Sequence, residues 1–245
     1  MIKIAETITK SLVVKKLSGW SKFEISSFLI AIALVLFSSI YMHDSPLALI
    51  SAVCGIIYTI LAGKGKVYCY FFGIIGTLCC SYISYDIALY GNFALHFVYY
   101  FPMEIIGFFT WKKHIDKTTN EIIKEKLSKK EIVAMVSIVT LATIFTYLFF
   151  VHINDKSPFV DASMTVLSVA GMILTVRRSI EQWVVWTLVN FLSIIMWFDA
   201  YAAGEKIFSI FIVRIIYFFL GIYFFIKWKK ERIEQQKTPV IISEH

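Results

Sequence analysis

The chain has 245 residues, of which 58% are apolar and 17% charged, with a mean hydropathy of +0.73. A water-soluble domain is nearer half apolar and a quarter charged, so a soluble enzyme or binding module is excluded. Apolar runs of roughly 18–25 residues fit membrane-spanning helices, not the ~10-residue alternation of a β-barrel. The net charge of +7 does not point to nucleic acid, because the basic residues sit in short stretches between apolar runs.

In chain order, Met1 to Lys22 is a lysine-containing stretch read as an interfacial helix, retained because no small-residue cleavage site follows it. Eight apolar segments are predicted as spans: residues 25–42, 46–63, 67–90, 93–111, 132–152, 160–176, 182–201 and 206–226. The polar tail after Trp228 is expected to be disordered. All but Lys156, Lys206 and Arg214 of the 24 Lys and Arg residues fall on alternate connections. By the positive-inside rule this gives eight spans with both termini cytoplasmic, and makes the basic residues topology determinants first.

Parts of the chain repeat. Ser51-Ala52-Val53-Cys54-Gly55 resembles Ser168-Val169-Ala170-Gly171, and Tyr85-Asp86 with Gly91 matches Phe198-Asp199 with Gly204. The stretch from Gly107 to Trp111-Lys112-Lys113 echoes that from Gly221 to Trp228-Lys229-Lys230. Spans two to four thus correspond to spans six to eight, both triplets starting on the same side. A parallel repeat about an axis along the membrane normal is a transporter plan. The expected fold is an all-α polytopic membrane protein, 3+1+3 with one extra N-terminal helix. Its units are 1–45 (interfacial segment and extra helix), 46–111 (first triplet), 112–155 (loop and linker helix), 156–230 (second triplet) and 231–245 (tail).

Chemistry concentrates in span seven. Trp183, Trp186 and Asn190 sit at i, i+3 and i+7, so two indoles and a carboxamide share one helical face. Lipid needs neither indole N–H groups nor an amide; the plain alternatives are an interfacial anchor for the tryptophans and an interhelical hydrogen bond for the amide. Stacked indoles attract cations by ~0.5–2 kcal/mol each, and an amide offers both donor and acceptor. Glu104 and Arg214 are charges within spans four and eight, each needing a partner or water at a cost of about 2.5–3.5 kcal/mol otherwise. Glu104 either faces a cavity and holds substrate or neutralises Arg214 as a structural ion pair. Tyr70 and Tyr217 are candidate cavity residues, and Asp86 and Asp199 are helix-end groups or an outer gate. Pro102 is read as a kink in span four.

Other chemistry is not indicated. Cys54, Cys69, Cys79 and Cys80 lie in apolar spans as free thiols, without CxxC or metal-ligand spacing to histidine. Gly63-Lys64-Gly65-Lys66 lacks the spacer and terminal Ser/Thr of a phosphate loop. No catalytic constellation stands out, so neither an enzyme nor a metal or other cofactor is expected.

The 3+1+3 plan, the Trp183-x-x-Trp186-x-x-x-Asn190 signature and the stretch Phe101-Pro102-Met103-Glu104-Ile105-Ile106-Gly107-Phe108-Phe109-Thr110-Trp111 resemble PnuC-type vitamin transporters. The resemblance covers roughly residues 46–230. It implies a fold related to the SWEET sugar transporters and facilitated diffusion of nicotinamide riboside across a bacterial inner membrane. It also implies trapping by a cytoplasmic riboside kinase and a homo-oligomeric, trimeric assembly. Trp183, Trp186 and Asn190 carry over as binding residues, whereas Glu104 stands where related members often have Asn. Relatives carrying thiamine or riboflavin supply the alternative substrates; a membrane-embedded enzyme or scaffold is the alternative of another class.

Overall fold

A computed structural model describes residues 20–42, 45–86, 88, 90–116, 119–155, 157–202 and 208–237. The N-terminal interfacial segment, Lys156, Gly204, Lys206 and the end of the tail lie outside them. Eight helices occupy the eight apolar segments: α1 (Lys22–Met42), α2 (Pro46–Gly63), α3 (Cys69–Asp86), α4 (Tyr90–Lys112), α5 (Lys129–His152), α6 (Pro158–Val176), α7 (Gln182–Ala202) and α8 (Phe208–Lys237). Six are long and apolar enough to cross a membrane. These six are counted among the described residues, where α7 contributes the shorter apolar stretch Gln182–Met196; α3 carries more polar and small residues along its length, among them Gly73, Gly76, Thr77, Ser81 and Ser84. Outside the helices, β1 (Ile115–Asp116) pairs antiparallel with β2 (Glu121–Ile122) in the α4–α5 connection.

Local chemistry sets the helix starts. Ser21 and Glu24 form a reciprocal capping box at α1, and Ser128 and Glu131 do the same at α5. At α2, Ser45 accepts from the Ala48 amide and Pro46 fills the first turn, where its missing N–H costs nothing. In α4, Ala94–Tyr100 is π-helical and leads directly into Phe101 and Pro102. A widened turn just before proline accommodates the ring and the absent donor. The irregularity expected at Pro102 is therefore a seven-residue π segment upstream of it.

The tail differs from expectation. Helix α8 continues past Trp228 to Lys237, because its polar extension is bonded to the α4–α5 connection. Glu231 pairs with Lys124 at 2.9 Å, and Gln235 accepts from the Lys124 amide and donates to the Ile122 carbonyl.

Two of the lysines have a structural part in the fold. Glu24, almost fully buried, accepts from Lys64 at 3.3 Å and Lys227 at 2.7 Å, and Tyr223 donates to it as well. This ties α1 to the α2–α3 turn and to α8. Burial and the neighbouring Lys227 pull the Lys64 ammonium below its ordinary pKa, while Glu24 opposes them. Removing one partner from a buried ion pair typically costs about 3–5 kcal/mol, whereas exposed pairs contribute about 0–1 kcal/mol. Glu24→Ala is accordingly expected to lower unfolding stability in detergent by about 3 kcal/mol. Lys66→Ala, which breaks a half-exposed pair with Glu121, should change it by less than about 1 kcal/mol. Equal losses in thermal or denaturant unfolding would show that burial of the Glu24 cluster is not what matters.

Above this end lies an aromatic core. Tyr70 packs edge-on against Trp111 at 5.1 Å; Trp228 joins Trp111 at 6.1 Å and Trp183 at 5.6 Å. The Trp111 indole donates to the Thr175 carbonyl on α6, and the Trp228 indole to the Gly63 carbonyl on α2, each at 2.8 Å. Each of these tryptophans, near the end of α4 or α8, thus closes the helix end of the other triplet.

Candidate functional site

A cavity of about 340 Å³ opens between α2, α3 and α4 on one side and α6, α7 and α8 on the other. Its volume is that of a small-molecule site. Neither α1 nor α5 contributes to its lining. The two predicted triplets therefore bound the cavity, with the extra helix and the linker helix outside it.

Helix α7 supplies Trp183, Trp186 and Asn190 to the wall, as the shared face requires. Their roles divide. Trp183 is 4% exposed and belongs to the floor, 4.9 Å from Phe224 and against Trp228. It is an anchor within the protein core, not at the lipid interface, and its Nε1 has no hydrogen-bond partner among the described residues. Trp186, one turn further, is half-buried and presents its ring to the cavity. Its Nε1 donates to Thr175 Oγ1 at 3.1 Å, and Thr175 donates to the Gly171 carbonyl at 2.8 Å. Gly171 lies directly behind the indole; a Cβ there would come within 2.9 Å of it. The Asn190 amide donates to the Trp186 carbonyl at 2.8 Å, which leaves its oxygen and one N–H for other partners.

Across the cavity, Glu104 is 6% exposed. Its Oε1 accepts from Thr77 at 2.9 Å, and its Oε2 is buried with no partner. Gly73 makes room for it, since a Cβ there would approach Oε1 to 2.9 Å. Arg214 lines the same cavity, but among the described residues no ion pair joins it to Glu104. Both charges face the cavity; the ion-pair alternative is not what forms. Tyr217 lines the wall, whereas Tyr70 does not: it is fully buried behind Gly107, packed on Trp111. Asp86 is the exposed last residue of α3. The side chain of Asp199 lies outside the described residues.

Several wall residues carried no obvious sequence signal. Thr77 and Thr175 orient the two principal groups, yet a threonine in an apolar helix is unremarkable. His96 reaches the cavity from the π segment of α4 and bonds the Asn92 carbonyl at 2.9 Å. Cys80 lines the cavity too, its thiol 2.9 Å from Ser51 Oγ. One signal was available: Tyr70, Gly73 and Thr77 on α3 stand at the same i, i+3, i+7 spacing as Trp183, Trp186 and Asn190, and the same step onward reaches Asp86 and Asp199. The residue types differ, and glycine opposite tryptophan makes the site asymmetric.

Comparison with known proteins fits this geometry. A family model described as nicotinamide mononucleotide transporter matches residues 45–230. The chain belongs to this family. It is 30% identical over 217 residues to the nicotinamide riboside transporter PnuC of Neisseria mucosa, covering 86% of this chain and 82% of that one. It is 28% identical to the protein of the same name from Haemophilus influenzae, covering 87% and 92% of the two chains. A crystal structure of the vitamin B3 transporter PnuC superposes with a TM-score of 0.74 at 29% identity, over 88% of this chain and 94% of that one. The chain is thus a PnuC-type, multi-pass membrane transporter. In this family member α3, α4, α7 and α8 all line the cavity between the triplets with polar side chains.

Proposed function

We propose that the protein carries nicotinamide riboside by facilitated diffusion, with the cavity between the triplets as its binding site. The supporting observation is the opposition of Trp186 and Glu104. An indole fixed at its N–H by Thr175 and backed by Gly171 faces a cavity that also holds a buried carboxylate with one free oxygen. The substrate is a flat, permanently cationic pyridinium bearing a carboxamide and ribose hydroxyls. Its ring matches the indole face, its charge the carboxylate, and its amide or hydroxyls the free valences of Asn190. Relatives named for nicotinamide riboside support the same substrate.

In this reading eight helices span a bacterial inner membrane, the Lys/Arg-rich end is cytoplasmic, and the triplets are parallel repeats that rock about the site to expose it alternately. The matched spacings on α3 and α7 support the repeat. Substrate consumption by a cytoplasmic riboside kinase would draw net uptake, and a homo-oligomer, trimeric by family resemblance, would give one pathway per protomer. No catalytic step is required of the protein. Purified protein in liposomes is expected to equilibrate labelled riboside with neither ATP nor an ion gradient. Strict dependence on a sodium or proton gradient would overturn facilitated diffusion, and tighter competition by thiamine or riboflavin would reassign the substrate.

A further inference from the structure

Nicotinamide riboside accounts for Glu104 and the aromatic wall, but not for Arg214. This residue leaves α8 seven positions before Gly221, about 10 Å along the axis. Gly221 packs on Thr187 and the Trp183 carbonyl, so Arg214 stands at the end of the cavity away from the Trp183 floor. Arg214 lines the cavity, and among the described residues no carboxylate or hydrogen-bond acceptor holds its guanidinium. The titratable groups that act on it are uncharged in their ordinary state: Tyr217 on its own helix and the Cys80 thiol on α3. Cys80 is in turn beside Ser51 on α2 and His96 on α4. The cavity's carboxylate, Glu104, is engaged through one oxygen with Thr77. The cavity is therefore bipolar, with an acid on α4 and a guanidinium on α8 that do not neutralise one another.

A guanidinium does not lose its proton in proteins, and its planar fork matches an oxyanion through two parallel N–H donors. A single positive charge balances a carboxylate; a phosphate ester, at about −1.5 to −2, would leave excess negative charge near Glu104. We propose that Arg214 forms a carboxylate subsite in this cavity, so that the protein also takes pyridinium ribosides whose ring bears a carboxylate in place of the carboxamide. The proposal rests on the cavity being the riboside site. The ligand is then a zwitterion, its ring cation toward Glu104 and Trp186 and its carboxylate on Arg214.

Equilibrium binding to the purified full chain tests this with three probes: nicotinamide riboside, nicotinic acid riboside and nicotinamide mononucleotide. The wild type is expected to bind nicotinic acid riboside, and Arg214→Gln to weaken that binding at least about ten-fold, the loss of a charge-assisted bidentate pair. Nicotinamide riboside should change less than about three-fold, since it makes no such pair. If the glutamine variant does not fold, Arg214→Lys serves instead: it keeps the charge but loses the fork, and nicotinic acid riboside alone should weaken. Wild-type binding of nicotinamide riboside without nicotinic acid riboside overturns the subsite and leaves the riboside reading intact. Equal weakening of both ribosides in either variant makes Arg214 structural and also overturns the subsite. A loss confined to the mononucleotide overturns the carboxylate assignment. Failure of the wild type to bind any riboside removes the functional reading on which the subsite depends.

Discussion

Replacing Trp186 with alanine is expected to weaken nicotinamide riboside binding by about 30–100-fold while the protein remains folded. The lost indole face carries a cation–π attraction of up to about 2 kcal/mol together with apolar contact, and tryptophans in enclosed sites commonly contribute 2 kcal/mol or more. At about 1.4 kcal/mol per factor of ten this gives the stated range. The fold should survive because the half-buried ring lies at the edge of the main core, against Gly171 and Thr175, and is not one of its fully buried members. Trp183→Ala should behave differently. Its indole fills the floor between Phe224 and Trp228, so truncation creates a core cavity costing about 3–5 kcal/mol, and binding fails together with stability. Thr175→Val tests the positioning more gently: the ring stays but loses its acceptor, and a several-fold rise in Kd without loss of protein is expected. Calorimetric or fluorescence titration beside thermal unfolding separates the cases. A Trp186→Ala protein that binds normally would remove this indole from the site.

Glu104→Gln is expected to abolish the preference for a cationic ring. The substitution preserves shape and can keep the Thr77 hydrogen bond, so what it removes is charge. A ligand cation nearby favours the carboxylate form, and loss of that attraction in a partly desolvated cavity should weaken nicotinamide riboside by about ten-fold or more. Reduced nicotinamide riboside has nearly the same outline but a neutral ring. The wild type should bind the oxidised, cationic form more tightly, and Glu104→Gln should bring the two near parity. If the variant weakens both forms equally, Glu104 acts through shape or stability instead of charge.

Much of this architecture was legible because apolar length and the placement of lysines are properties of contiguous sequence. The segment ends agree with Pro46–Gly63, Pro158–Val176 and Tyr90–Lys112 to within a few residues. The shared face of Trp183, Trp186 and Asn190 was also legible, since helical spacing alone fixes it. What spacing does not fix is depth: one turn separates a residue of the aromatic floor from one facing the cavity. Tyr70 illustrates the same limit, since its register matches Trp183 but Gly107 on α4 draws it into the core. The Glu24 cluster was invisible for another reason. Its partners lie 40 and 203 residues away, so lysines that read as topology signals become structural only once α1, α2 and α8 meet. The helical continuation to Lys237 depends likewise on Lys124 and Ile122 arriving from the α4–α5 connection.

The central claim is that substrate sits between the triplets, on Trp186 and opposite Glu104. A cryo-electron microscopy map of the protein with bound nicotinamide riboside tests it most directly. The account expects the pyridinium stacked on the Trp186 indole, its polar groups within hydrogen-bonding distance of Asn190, and Glu104 on the facing wall. Ligand density outside this cavity, or inside it without contact to Trp186, would contradict the account.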